Sequence, residues 1–220
     1  MAYVEASTTS ETLTGVAFVL NGKAYQVAKT NATGYDGAFT VYWWKNSPKD
    51  INGLTNYSTT DGTNSSGYLP KADGSWDGST HIDGDWTQWS TYTNATAALS
   101  DFNGQENTKL IIEAQTTDDI VQDYTLAKAV IEFRGNSSIN ESHTDWFVPS
   151  CGELAFMFLK MTELNELLDK VSGTQFSTNT YWSSSEHSSN YALYVDFSCG
   201  YVNVSGYKNS YSRLRLVRAI

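Results

Sequence analysis

Side chains able to carry covalent or metal chemistry are few in this chain of 220 residues. Three histidines, His81, His143 and His187, stand far apart and form no HxxxH or HExxH pair, so zinc has no support. The sequence contains no P-loop, no dinucleotide fingerprint and no G-x-S-x-G elbow. Cys151 could begin a helix, which favours a reactive thiolate, but no histidine is placed by sequence as its base. We therefore expect Cys151 in the core, no catalytic residue and no cofactor.

The remaining reactive groups are better interpreted as structural or solvated residues than as catalytic or metal-binding ones. Two cysteines, Cys151 and Cys199, do not make a disulfide framework in a chain of this length, and we favour two free thiols over a bond between them. The segments DGDW and STTDGTNSSG offer oxygen ligands for calcium but lack EF-hand spacing. We interpret them as solvated turns and expect no metal site.

Charge and hydropathy exclude several classes of partner. The formal net charge is -10, and no Lys/Arg stripe is present, which argues against nucleic acid and anionic membranes. The opening MAYVEASTTSETL has neither the basic nor the apolar part of a signal peptide. No stretch approaches the ~20 apolar residues of a membrane-spanning helix. We expect a soluble chain without membrane insertion, carried to any surface by another component or by a missing upstream segment.

The C-terminal part has the composition of a binding surface. Residues 181–212 contain six Tyr, nine Ser and three Asn, with only Glu186, Asp196 and Lys208 charged. Tyrosine supplies stiff, amphipathic contact area, and Ser and Asn supply adaptable hydrogen bonds. The apolar residues alternate with the polar ones, which predicts a strand pair with one core side formed by Leu193, Val195, Phe197, Val202 and Val204. Two alternatives to a binding surface remain. The polar side of the strand pair could pack under residues 45–92, or the pair could be a hairpin at a sheet edge whose surface binds nothing.

The strands that must support this surface are marked by turn and breaker signals. Asn21-Gly22 predicts a hairpin over residues 15–28. Further strands are predicted over 38–44, 181–186 and 213–220. Residues 45–92 show no sustained period, and we interpret them as a long ordered insertion held by Trp76, Trp86 and Trp89.

Helices are predicted between these strands. A short helix over 94–102 starts at Asn94, and residues 104–115 and 118–133 have helical spacing, the latter starting near Asp118-Asp119 with Gly135 as its stop signal. Ser150 and Glu153 match a capping box. Another helix runs from about Thr162 to Gly173. The order β, insertion, α, β predicts one α+β domain over residues 1–220.

Five segments of the chain carry a resemblance to a known family: DFNGQENT (101–108), DWFVPSCGEL (145–154), YWSSSE (181–186), YALYVDFSCG (191–200) and RLRLVRAI (213–220). Together they resemble variable proteins of diversity-generating retroelements. These bacterial and phage proteins have a C-type-lectin-like fold, in the branch that also contains formylglycine-generating enzymes. The resemblance extends from about Gly15 to the C-terminus and is weakest over residues 45–92.

The resemblance implies a variable C-terminal region over residues 181–220. In that family, reverse transcription with errors at adenines rewrites the 3′ end of the gene. Trp182, Val195, Phe197, Gly200, Val202 and Val204 would form the fixed framework. The variable, ligand-binding positions would be His187, Asn190, Leu193, Tyr194, Asp196, Ser198, Cys199, Tyr201, Asn203, Ser205, Tyr207, Asn209, Ser210, Tyr211, Ser212 and Leu214.

The sequence also departs from its wider fold family. The tripeptides with which animal C-type lectins bind calcium and sugar, Glu-Pro-Asn or Gln-Pro-Asp followed by Trp-Asn-Asp, are absent. The paired cysteines of formylglycine-generating enzymes have no obvious counterpart. Neither activity is therefore carried over.

The leading hypothesis is a receptor-binding or adhesin protein on a phage tail or a bacterial surface. Its partner would be a bacterial surface protein or glycan, and the sequence is compatible with a homo-oligomer. Two alternatives remain open: a structural subunit of a surface fibre, and an enzyme of the formylglycine-generating branch.

Overall fold

Strands and helices occupy separate parts of the chain, so the predicted α+β class is confirmed. The computed structural model describes residues 15–32, 40–58, 66–69, 96–117, 124–136 and 143–220. Trp76, Trp86, Trp89, Asn94 and Asp118-Asp119 lie outside these ranges. The first half contains β1 (Gly15–Leu20), β2 (Lys23–Ala28), β3 (Thr40–Tyr42), β4 (Gly67–Tyr68), α1 (Thr96–Leu99), α2 (Gly104–Thr117) and α3 (Leu126–Gly135). The second half contains α4 (Cys151–Leu159), α5 (Met161–Lys170), β5 (Thr180–Glu186), β6 (Tyr191–Asp196), β7 (Tyr201–Tyr207), β8 (Tyr211–Arg213) and β9 (Val217–Ala219).

The described strands form two sheets. One has the order β1-β2-β9, and the other has the order β3-β8-β5-β6-β7-β4. The hairpin β1–β2 is the one predicted from its turn, because Asn21 and Gly22 have φ values of 53° and 72°, the left-handed pair of a type I′ turn. In the larger sheet β5 pairs antiparallel with β6 and parallel with β8.

Local signals position α4 and α5 as the sequence predicts, but the predicted continuous helix over residues 118–133 is wrong at Tyr124 and Thr125. Tyr124 has a φ of 68° and Thr125 is extended, so α3 starts only after them. The capping box at the start of α4 is present, and the Glu153 carboxylate accepts the Ser150 N–H at 2.8 Å. Helix α3 begins at Leu126, where Thr125 caps the first turn by accepting from the Lys128 N–H. Beyond α5, the Gly173 N–H donates to the Leu168 carbonyl at 2.7 Å and closes the helix end.

Two hydrophobic cores cover opposite sides of the six-stranded sheet. The first core packs Leu154 and Phe158 of α4 against Tyr181, Val195 and Phe197 of the sheet. The second core gathers large side chains from several segments, including Trp43, Trp182, Ile111, Val130 and Leu214. Strand β5 lies between the two cores, and every residue from Tyr181 to Glu186 is buried.

The predicted single strand over residues 213–220 is wrong. Strand β8 belongs to the larger sheet and β9 to the smaller one. Arg215 lies between them and is fully buried. Its guanidinium donates to Asn31 Oδ1 at 2.7 Å and to the carbonyls of Ala28 at 3.0 Å and Thr174 at 2.7 Å. These bonds hold the chain where it crosses from one sheet to the other, which breaks the strand.

A buried ion pair closes the second core. Lys208 and Glu186 are both inaccessible to solvent, and the Lys208 ammonium donates to a Glu186 carboxylate oxygen and to the Lys49 carbonyl at 2.8 Å. The same ammonium lies 4.6 Å from the ring centroid of Trp43. The second Glu186 oxygen accepts the Ile51 N–H at 3.2 Å. The pair therefore joins β5, the β7–β8 turn and residues 49–51.

Removing one member of this pair should destabilise the protein strongly. The substitution Lys208→Met leaves the Glu186 carboxylate buried and unpaired, so we expect the free energy of unfolding to fall by about 3–5 kcal/mol. The double variant Glu186→Gln/Lys208→Met should lose less than the sum of its two single substitutions. Urea unfolding of all four proteins tests this, and additive losses would contradict the pairing.

Candidate binding surface

A β-bulge divides the hairpin formed by β6 and β7. Tyr194 pairs with Asn203, and Ala192 pairs with Gly206. One residue of β6 separates these pairs, whereas two residues of β7, Val204 and Ser205, separate them on the other strand. Because side chains alternate along a strand, the extra residue shifts the inside–outside pattern of β7. Beyond the bulge, the side chains of β7 therefore point to the faces opposite to those expected from the sequence.

Before the bulge lies a group of side chains that we call the Tyr194 patch: Tyr194, Asp196, Tyr201, Asn203 and Tyr68. The Asn203 amide donates to the Tyr194 hydroxyl at 2.9 Å, and the rings of Tyr68 and Tyr201 meet at 4.8 Å. Tyr194, Asp196, Tyr201 and Asn203 are half-buried, and Tyr68 is exposed. The patch therefore presents aromatic edges, an amide and one carboxylate to solvent.

The base of this patch is fixed by the second core. The Tyr194 ring contacts Trp182 edge to face at 5.6 Å. A Cβ atom on Gly206 would lie 2.7 Å from a Tyr194 ring carbon, so the absence of a side chain there leaves room for the ring. Burial raises the pKa of the Tyr194 hydroxyl, which stays protonated and able to donate at neutral pH.

Beyond the bulge lies a second group, the Tyr207 patch, formed by Tyr191, Tyr207 and His187. The Tyr191 and Tyr207 rings lie 4.8 Å apart, and His187 contacts Tyr191 at 6.0 Å. Gly206 shares a face with Tyr194, so its neighbour Tyr207 points to the opposite face. Tyr207 is 57% exposed. Tyr194 and Tyr207 consequently do not form one continuous surface.

Tyr211 belongs to neither patch. Its ring stacks against Tyr42 of the neighbouring strand at 4.0 Å, and the side chain is 55% exposed. The position follows from the pairing of β8 with β3 rather than with β7. Tyr211 thus adds a third exposed aromatic side chain, which lies near the β3 edge of the sheet.

Most sequence-predicted site residues reach solvent, and three do not. Leu193 is buried in the first core, Leu214 is buried in the second core, and Ser212 is buried with its hydroxyl 2.9 Å from that of Thr180. The burial of Leu193 confirms the core side that the alternation predicts, whereas the prediction of a solvent-facing position is wrong for Ser212. The buried positions of Leu193 and Leu214 do not fit the ligand-binding role that the resemblance implies for them. The half-buried members are His187, Tyr194, Asp196, Cys199, Tyr201 and Asn203; the exposed members are Asn190, Ser198, Ser205, Tyr207, Asn209, Ser210 and Tyr211.

The framework positions that the resemblance implies are buried, and for Val195, Phe197, Val202 and Val204 the alternation predicts this burial as well. They are Trp182, Val195, Phe197, Gly200, Val202 and Val204. The sequence-based prediction missed Tyr42, Tyr68 and Tyr191, whose rings contact Tyr211, Tyr201 and Tyr207, respectively. Tyr191 directly precedes the alternating run and could have been included. Tyr68 lies on a two-residue strand, which is too short to show a period.

Three of the segments that carry the family resemblance meet in one buried polar network, the Asp101 junction. It consists of Asp101, Asn107, Ser150, Cys151 and Ser185. The Asp101 carboxylate accepts from the Ser185 hydroxyl at 2.6 Å and the Asn107 amide at 2.9 Å. The Ser150 hydroxyl donates to the Asp101 carbonyl at 2.6 Å, and the Cys151 N–H donates to the Ser185 oxygen at 2.9 Å. These residues bind one another and hold α2, α4 and β5 together.

The reactive groups considered at the outset are poorly placed for chemistry. Cys151 and Cys199 are free thiols, as predicted, and Cys151 is fully buried. Burial and the nearby charge of Asp101 raise the pKa of the Cys151 thiol, which disfavours the nucleophilic thiolate. Within the described residues no cluster of three or more His, Cys, Asp or Glu side chains could hold a metal ion. His81, the segment DGDW and residues 59–65 of the segment STTDGTNSSG lie outside those residues.

Comparisons with known proteins give one distant likeness. No family model matches the chain, and no curated protein matches it. A solved structure of a fimbrial protein from Bacteroides ovatus is similar at 18% identity with a TM-score of 0.48, over 86% of this chain. The match covers 45% of the fimbrial protein, so the chain spans less than half of its length. Among the helices in the described ranges, none has the length and apolar character needed to cross a membrane.

The face assignments can be tested by stability. Tyr201→Ala and Tyr207→Ala remove solvent-facing rings, and we expect each to change the free energy of unfolding by less than about 1 kcal/mol. Leu193→Ala empties a site in the first core and should cost about 2–5 kcal/mol. Urea unfolding of the three variants measures the difference. A Tyr207→Ala loss as large as that of Leu193→Ala would contradict the solvent-facing position of Tyr207.

Proposed function

We propose that this chain is a non-catalytic binding protein with a C-type-lectin-like fold, and a variable protein of a diversity-generating retroelement. The single observation that carries the proposal is the contrast along β6 and β7. Buried framework residues alternate there with solvent-reaching Tyr, Asn and Ser side chains. Such side chains are typical of evolved binding surfaces.

The energetics of the hairpin support variation at these positions. Most outward residues contribute little to the cores, because surface substitutions usually change stability by within about 0.5 kcal/mol. Tyr194 contributes more, because its ring packs against Trp182. Val195, Phe197 and Val202 are buried, and each contributes about 1.5–3 kcal/mol through burial. If only the codons for the outward residues are rewritten, the encoded protein would therefore have a changed surface and the same fold.

We propose a bacterial surface protein or glycan as the partner, met at a phage tail or at a bacterial surface. The Tyr194 patch carries a single charged side chain, Asp196, on a chain of net charge -10. A surface with so little charge suits a ligand recognised through aromatic contact and hydrogen bonds, rather than through ion pairs.

A structural fibre subunit is a second candidate. Tyr207 and Tyr211 are the aromatic residues that support it, because both are more than half exposed and could contact a neighbouring protomer. The two candidates differ in what the tyrosines do: they hold a foreign ligand in the first and a second copy of the chain in the second.

A binding experiment with patch variants tests the proposal. The double variant Tyr201→Ala/Asn203→Ala alters the Tyr194 patch, and Tyr207→Ala alters the Tyr207 patch. Ile131→Ala on α3 removes another exposed apolar side chain and serves as the matched control. Binding to surface extracts of candidate host bacteria is measured by interferometry. We expect at least one patch variant to lose about tenfold in affinity, as for an interface hot spot, while the control binds like the wild type.

Two outcomes would overturn the proposal. Equal binding by all four proteins would remove the surface assignment. Light scattering that shows a wild-type assembly, dissociated by Tyr207→Ala, would favour the fibre subunit instead.

A further inference from the structure

The molecule has a concave region outside the C-terminal strands that form the patches. It is a cleft of about 470 Å³ between β2, the start of α2, α3 and residues 144–147. None of its lining residues belongs to residues 181–212. Its volume falls within the range of sites for small molecules, which is roughly 300–1,000 Å³.

The floor of the cleft combines aromatic rings with a buried acid. Tyr25, Phe147 and Glu153 line it and are buried, and the two rings meet edge to face at 6.4 Å. The Tyr25 hydroxyl is hydrogen-bonded to the Glu153 carboxyl. Burial raises the pKa of Glu153 to about 7 and that of Tyr25 to about 12. A carboxyl with a perturbed pKa at the base of a cleft is more common at binding sites than elsewhere.

Charged side chains of both signs line the rim of the cleft, and several of them form ion pairs with each other or with neighbouring residues. Lys109 forms an ion pair with Glu106 at 3.1 Å, and Asp145 lies 3.6 Å from the Arg218 guanidinium. The Arg134 Nε donates to the Trp146 carbonyl at 2.6 Å. The side chains of Asn103 and Gln105 add neutral amides, which can both donate and accept.

We propose that this cleft binds a small neutral sugar. Sugar hydroxyl groups both donate and accept hydrogen bonds, which matches the amides and ion pairs of the rim, and the apolar face of a sugar ring matches the half-buried ring of Phe102. A phosphate or carboxylate ligand would meet Glu106, Asp145 and Glu153. A cationic ligand would meet Lys23, Lys109 and Arg134. The site is independent of the proposed variable surface.

Ligand-observed saturation-transfer NMR on the full chain tests this site. The probes are glucose, galactose and N-acetylglucosamine, each at about 10 mM so that even a millimolar Kd is covered, with glucose 6-phosphate and glucuronate as charged probes. The variant Asn103→Ala/Gln105→Ala removes both amides, which lie on exposed positions, and circular dichroism checks that it folds like the wild type. Asn52→Ala/Gln175→Ala removes two exposed amides outside the cleft and outside both patches and is the matched control, while Tyr207→Ala tests the Tyr207 patch. We expect a signal from at least one neutral sugar, and titration of that sugar should give a Kd about tenfold larger for the amide variant and unchanged for the matched control.

Three results would overturn the inference. They are no signal from any neutral sugar, a signal that the amide variant does not change, and stronger signals from the charged probes. A signal lost only in Tyr207→Ala would assign sugar binding to the Tyr207 patch, which overturns the cleft site and supports the proposed function. Absence of all sugar binding would leave the test on surface extracts unaffected.

Discussion

The last two residues of β5 hold the molecule together from the middle of its larger sheet. Ser185 binds Asp101 on the side of the first core, and Glu186 binds Lys208 on the side of the second core. Both side chains are fully buried, so each polar group depends on its partner because water cannot replace it. These bonds consequently fix α2, α4 and residues 49–51 relative to the hairpin β6–β7, which pairs with β5.

This fixed support would let the surface that we propose to be variable change without loss of the fold. The hairpin is anchored by Val195, Phe197 and Val202 on one face and, near its bulge, by Tyr194 and Gly206 against Trp182 on the other. What reaches solvent is therefore only part of one face, together with the reversed positions beyond the bulge. The proposed surface consists of separate small patches on two faces and at a sheet edge, and is smaller and more divided than a uniform ribbon would offer.

Local and periodic signals were sufficient to predict much of this fold. The Asn21-Gly22 turn, the capping box of Glu153 and the buried side of β6 follow from rules that involve neighbouring residues only. The bulge at Ser205 could not be predicted, because an extra residue leaves no mark in a strict alternation of polar and apolar types. The burial of Arg215 likewise depends on carbonyls distant in the chain. Composition marked the surface as a binding region, whereas tertiary pairing decides which tyrosines share a face.

The central claim is that outward positions of the C-terminal hairpin vary while the buried ones remain constant. Sequencing the 3′ end of the gene from many members of one population, together with the adjacent DNA, tests it most directly. The claim predicts a nearby near-copy differing at adenines, and substitutions at codons for exposed positions such as Asn190, Ser205 and Tyr207, with none at Leu193 or Lys208. Substitutions spread equally over buried and exposed codons, or a constant sequence with no such copy, would contradict it.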